Sequence, residues 1–120
     1  MAWLRGAAVP LADVAPNADP ADLEPLRGMV GAARLVALGE ATHGTSEFFE
    51  MKHRVLRHLV QRMGFTAFAI EATWPEANAL DAYVRGGPGD PAVLLSNLYF
   101  WTWNTQEVRD MIDWMRAYNQ

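Results

Sequence analysis

The 120-residue sequence has no cysteine, which excludes disulfides, thiolate zinc sites and cysteine nucleophiles together. Its only serines are Ser46 and Ser96, and neither stands in a G-x-S-x-G elbow, so a serine nucleophile is not indicated. There is no G-x-G-x-x-G or G-x-x-x-x-G-K-[ST] phosphate loop, no H-E-x-x-H pair and no His-x-His. Apolar runs stay well short of the roughly 20 residues needed to span a bilayer. Arg5 and Pro10 break up the opening stretch before it resembles a signal peptide. Positive charge is thin as well: ten Lys and Arg against fourteen Asp and Glu leave a formal net charge of −4, with the basic residues scattered. Such a surface offers no footprint for a phosphate backbone, so neither nucleic acid nor membrane is an expected partner. A cytoplasmic protein is expected.

What is present suffices for a core. Apolar residues make up 51% of the chain and charged ones 20%, the proportions of an ordinary folded domain. No linker divides residues 1–120, which read as one domain behind an extended lead-in over about residues 1–18. Asp19-Pro20 pairs an N-cap with a proline at the first helical position and predicts a short helix over about 20–30. Thr45 or Ser46 caps a long helix whose apolar positions include Phe48, Phe49, Leu56, Leu59, Val60 and Met63, and Gly64 stops it. Pro75 opens another helix, closed by Gly86-Gly87-Pro88-Gly89. Asp90-Pro91 starts a short one ending near Ser96. Asn104 with Glu107 three residues later has the spacing of a capping box for a last helix, with Val108, Met111, Ile112, Met115 and Tyr118 as its apolar stripe.

Two brief apolar runs, Arg34–Leu38 and Phe65–Ile70, are too short for helices and suit buried strands. With the long helix between them they predict a right-handed β-α-β crossover with parallel strands. The expected fold class is therefore α/β: a parallel β-α-β core with several flanking helices, an incomplete part of a larger α/β domain with a helical part.

That expectation places the chemistry. In a parallel sheet, ligands bind beyond the carboxyl ends of the strands. Glu40 follows the first run and Glu71 the second, and neighbouring strands lie about 5 Å apart. His43 falls in the loop between Thr42 and Gly44, with Gly39 and Gly44 shaping the turn. Two carboxylates and an imidazole opening on one crevice form a plausible general acid/base site. Three alternatives stay open beside it. Glu40 and Glu71 can cap backbone N–H groups or pair with Arg34 or Lys52. Glu40, His43 and Glu71 can serve as ligands of zinc or manganese in a metal-assisted hydrolase. A truncated, non-catalytic chain can bind another polypeptide through an exposed sheet edge. His53, Trp74 and Trp101 are candidate substrate contacts, although His53 lies within the long helix. The aromatic segment Tyr99–Trp103 could line an apolar substrate cleft, but packing of the last helix onto the sheet is the better reading for most of it.

Leu38-Gly39-Glu40-Ala41-Thr42-His43-Gly44, then Glu47-Phe48-Phe49 and Lys52, then Gly64-Phe65 through Glu71, together resemble the erythromycin esterase family. The closing Trp114-Met115-Arg116-Ala117-Tyr118-Asn119 fits the family's Trp-x-Arg-x-Tyr-Asn-like ending, so the similarity runs from about Leu35 to Gln120. The resemblance implies an α/β fold with a substantial helical part. It also implies hydrolysis of an ester or macrolactone by water, with a histidine as general base and neither covalent intermediate nor cofactor. By motif position His43 matches that base, and Glu40 and Glu71 match the family's essential acids. Lys52 stands at a basic position where erythromycin-cleaving members can carry Arg. Family chains are about three times longer, with a second catalytic histidine beyond the position of Gln120. The resemblance thus implies that the rest of the same domain completes the site, and that these 120 residues alone are inactive or nearly so.

Overall fold

The computed structural model describes residues 2–120, and every regular element in it is helical. Helix α1 spans Ala2–Ala7, α2 Pro25–Val30, α3 Ser46–Met63, α4 Trp74–Val84, α5 Pro91–Ser96 and α6 Gln106–Asn119. Two 3-10 turns, Pro20–Leu23 and Trp101–Trp103, precede α2 and α6.

Local signals account for most of these boundaries. Asp19 accepts from the amide of Ala21, and Asp90 from that of Ala92, each at 2.9 Å and each with a proline following. Pro25 divides the helix expected over 20–30 into a 3-10 turn and α2. Gly64 ends α3 in the left-handed region, at φ 76°, where a residue with a Cβ is strained. The cap of α6 is Thr105 rather than Asn104: its hydroxyl accepts from the amide of Val108. Glu107 is not engaged as a capping box but accepts from the Ser46 hydroxyl at 2.5 Å. Within the expected extended lead-in, α1 forms a short exposed helix.

Helix α6 packs against α3, α4 and α5. Phe49 and Leu56 of α3, Leu80 and Tyr83 of α4, Leu95 of α5, the adjoining Leu98, and Val108, Met111 and Ile112 of α6 form one buried cluster. Burying each such large side chain stabilises the fold by about 1.5–3 kcal/mol. The closing Trp-x-Arg-x-Tyr-Asn segment turns out to be structural. Arg116 donates to the carbonyls of Tyr83, Gly87 and Gly86 and covers the Tyr83 ring at 4.3 Å, while Asn119 donates to Val84. These contacts tie the end of α6 to the last turn of α4 and to the glycine turn that follows it.

On the opposite side of α3 the lead-in is tied down by Arg54, which is 2% exposed. Its guanidinium binds the Asp22 carboxylate and the carbonyls of Asp13 and Asp19.

The expected β-α-β core is absent. No strand or sheet forms among the described residues, and the architecture is all-helical rather than α/β. Residues 35–40 and 66–71 run without backbone ladder hydrogen bonds, and Leu35 is 83% exposed. An isolated parallel pair gains too little to order two strands, because a parallel sheet needs further strands and cover on both faces. Here one side of residues 65–70 opens onto a groove of about 970 Å³ floored by Leu56, Val60, Leu80 and Ile112. Without a sheet there is also no sheet edge of the kind on which the polypeptide-binding alternative relied. Among the described residues no helix is long and apolar enough to cross a membrane.

Candidate active site

The loop before α3 carries the most developed polar cluster. Gly44 turns it at φ 75°, a conformation that favours glycine, and a Cβ there would press on the Trp101 ring at 3.2 Å. Gly39 shows neither feature. The Thr42 and Thr45 hydroxyls share a hydrogen bond of 2.7 Å, which tightens the turn into α3.

Glu40, His43 and Lys52 meet directly. His43 Nδ1 lies 2.5 Å from Glu40 Oε1, and Lys52 Nζ, from the second turn of α3, donates to Glu40 Oε2. The Glu40 side chain is only 9% exposed, whereas that of His43 is 64% exposed. Hydrogen bonding from Lys52, helped by His43, outweighs desolvation and holds the Glu40 carboxyl below its usual range. Glu40 is therefore an ionised acceptor near neutral pH. Because an ionised carboxylate can only accept, the Nδ1 of a neutral His43 must carry the proton, leaving Nε2 as the free base. Lys52 also lies 5.4 Å over the Phe49 ring, a cation–π contact that fixes the ammonium from below. The structural pairing of Glu40 with Lys52, one of the alternatives read from sequence, is thus present within the same cluster.

Among the described residues Glu71 has no hydrogen bond to these three, and what is held is its backbone. Its carbonyl accepts from the indole N–H of Trp103 at 2.8 Å, and Trp103 packs edge-on against Phe49. Among the described residues its carboxylate makes no ion pair. Nor do any three His, Asp or Glu side chains among them group as a metal-ligand set, so Glu40, His43 and Glu71 do not assemble as the three ligands of the metal reading.

The candidate substrate contacts divide. Trp101, 69% exposed, sets its ring edge-to-face against His43 with centroids 6.1 Å apart. Trp74, 78% exposed, opens α4 at the end of the Glu71 loop. His53 is 4% exposed and faces Trp114 between α3 and α6, with neither ring nitrogen hydrogen-bonded. Burial pushes its pKa down to about 4. Its ring belongs to the interior and not to the open loop.

Sequence reading missed the bond from Trp103 to the Glu71 carbonyl and the Ser46–Glu107 link. The latter joins residues 61 apart, and no local pattern announces such a pair.

Comparison with known proteins agrees with the motif content. The sequence profile of the erythromycin esterase family matches residues 60–120. Erythromycin esterase type II of Escherichia coli is 31% identical over 98% of this chain, which covers 28% of that protein. YbfO of Bacillus subtilis (strain 168), which is named as a hydrolase, is 32% identical over 95% of this chain and 25% of its own length. A Bacillus cereus protein of known crystal structure superposes with a TM-score of 0.91 at 45% identity, over 98% of this chain and 28% of the other. The crystal structure of a succinoglycan biosynthesis protein superposes with a TM-score of 0.89 at 41% identity, over 97% and 29%. The chain spans less than a third of the length of these relatives. It belongs to the erythromycin esterase family.

Proposed function

We propose that the chain carries part of the catalytic site of a hydrolase that cleaves a carboxylic ester or lactone with water, His43 acting as general base. The observation that carries this reading is the shared Glu40 carboxylate. It binds His43 Nδ1 on one oxygen and Lys52 on the other, while the His43 side chain stays largely open to solvent.

In the proposed reaction, Nε2 takes a proton from a water molecule as the water oxygen forms a bond to the ester carbonyl carbon. Glu40 holds the ring in the required tautomer and stabilises the imidazolium. Lys52 keeps Glu40 ionised. Collapse of the tetrahedral intermediate breaks the carbon–oxygen bond to the leaving alkoxide, which receives the proton back from His43. Base catalysis of this kind is worth about 10²–10⁴ in rate. Glu71 is assigned as the second acid of the site. Trp101 and Trp74 offer exposed apolar faces to the substrate, and His53 is left out because it is buried. The reaction draws on side chains and water alone. Macrolide macrolactones enter as substrates from the name of the Escherichia coli relative. Since that relative is more than three times as long, the proposal assigns the remaining catalytic groups to polypeptide outside these residues.

The test is hydrolysis by the protein extended to the length of its relatives, against a panel of macrolactones and simpler esters, with and without chelator. Turnover indifferent to chelator and lost in His43→Asn is expected. A panel with no hydrolysed member, or a His43→Asn variant of undiminished rate, refutes the reading.

A further inference from the structure

Residues Trp101–Trp103 form a single 3-10 turn next to the site. The chain approaches it through Tyr99 at φ 58°, a left-handed conformation uncommon for a residue with a bulky side chain. The inner side of the turn is anchored: Leu98 is fully buried and Thr102 is 8% exposed.

The two tryptophans reach different loops. Trp101 meets the His43 ring at an interplanar angle of 87° and backs onto Gly44. Trp103 donates to the Glu71 carbonyl and packs against Phe49, whose ring lies beneath the Lys52 ammonium. No strand among the described residues joins the loop of Glu40 to that of Glu71. Their relative position therefore depends on contacts of this kind. The His43 side chain is 64% exposed, and beyond Glu40 the Trp101 ring stands beside it in T-shaped contact, where it restricts rotation of the imidazole.

We propose that the Trp101–Trp103 turn is a clamp that registers the two acidic loops, Trp101 holding the His43 imidazole against Glu40 and Trp103 holding the backbone at Glu71. Both are positioning residues. The proposal deepens the reading of His43 and Glu71 as site residues and rests on it, but its test is geometric.

The experiment is nitrogen-15 NMR of the histidine rings in the 120-residue chain. His43 is assigned by its disappearance in His43→Asn. The wild-type ring is expected in the Nδ1–H form that Glu40 requires. Trp101→Ala should shift it toward the Nε2–H form that free histidine prefers, with an unchanged melting temperature because Trp101 is largely exposed. Trp101→Phe, which keeps an aromatic edge, should restore the wild-type signal. Trp103→Phe, which keeps the ring but removes the donor, should speed amide exchange at residues 71–73. A His43 signal in Trp101→Ala identical to wild type, or exchange at 71–73 untouched in Trp103→Phe, overturns the clamp. If Trp101→Ala shifts the tautomer while His43→Asn still hydrolyses ester in the longer protein, the clamp stands and the catalytic reading falls. The opposite pair of results removes the clamp and keeps the reading.

Discussion

The loop before α3 and the middle of α3 each hold histidine, under opposite conditions. His43 has an open side chain, one ring nitrogen on a carboxylate and the other free. His53 and His58 are 4% and 2% exposed, and none of their four ring nitrogens has a hydrogen-bond partner. Around His53 stand Arg57 and Asp110; around His58 stand Glu24, Arg27, Arg62 and Arg54. Desolvation nevertheless dominates at both and lowers their pKa values. A sealed, unpaired imidazole stays neutral and cannot exchange a proton with a substrate. An exposed one with a fixed tautomer can. Proton transfer thus depends on access and a partner, which the loop supplies and the helix interior denies.

The largest expected effect breaks the comparison at its open end. His43→Asn in the longer protein should lower kcat/KM by about 10²–10⁴. Its stability should stay within about 0.5 kcal/mol of wild type in urea melts, because the side chain has little packing to lose. A rate loss below about tenfold, equivalent to less than about 1.4 kcal/mol, would remove His43 as principal base.

Next comes the buried end, where pH is the lever. The pKa of His53 is about 4 in the folded state against 6.5 when free, so between these values the unfolded chain binds the extra proton. Stability from this group is fully present above pH 6.5 and is lost as pH falls toward 4, at up to about 1.4 kcal/mol per pH unit. His58 acts in the same direction. Urea melts from pH 7 to pH 4 should show this slope, and His53→Leu should flatten it while leaving stability at pH 7 equal or higher. An equally steep slope in His53→Leu would contradict the assignment.

A smaller change sharpens the loop side. Lys52→Met removes the main cause of the lowered Glu40 pKa. The Glu40 carboxyl should then titrate at higher pH in carbon-13 NMR of its side chain, since a carboxylate that loses its cationic partner protonates earlier on acidification. A Glu40 titration that stays in place would mean that Lys52 is not what lowers it. The smallest effect belongs to Arg85→Ala. The Arg85–Asp81 pair has side chains 74% and 56% exposed, and its loss should shift stability by less than about 1 kcal/mol in urea melts. That variant is the surface control against which the partly buried Glu40–Lys52 pair is judged.

Much of the chain order was legible from sequence because its causes are local. Asp90-Pro91 and Gly64 act on their own helix ends, and helix positions follow from backbone capping within a few residues. The pairing of Glu40 with His43 was legible for a similar reason, the two being three residues apart in one glycine-closed turn. Residues 34–38 and 65–70 were misread as strands because an apolar run reports a demand for burial and not the partner that meets it. In the structure their ladder partners are absent, so the same residues run irregularly. His53 follows Lys52, which the structure turns to Glu40, but one step along a helix turns a side chain by about 100°, and His53 faces the interior instead.

Legible from the sequence alone are the ends of α3 and α5, the absence of thiol and serine-elbow chemistry, and the motif that marks the family. Each of these rests on covalent identity or on interactions spanning a few residues. Only the tertiary structure decided that the fold is helical, that His53 is sealed while His43 is open, and that Trp103 and Glu107 reach the site's loops. Those outcomes depend on contacts between residues far apart in the chain. Burial, hydrogen bonding and charge pairing there are settled by which surfaces meet, and not by the residues that stand next to one another.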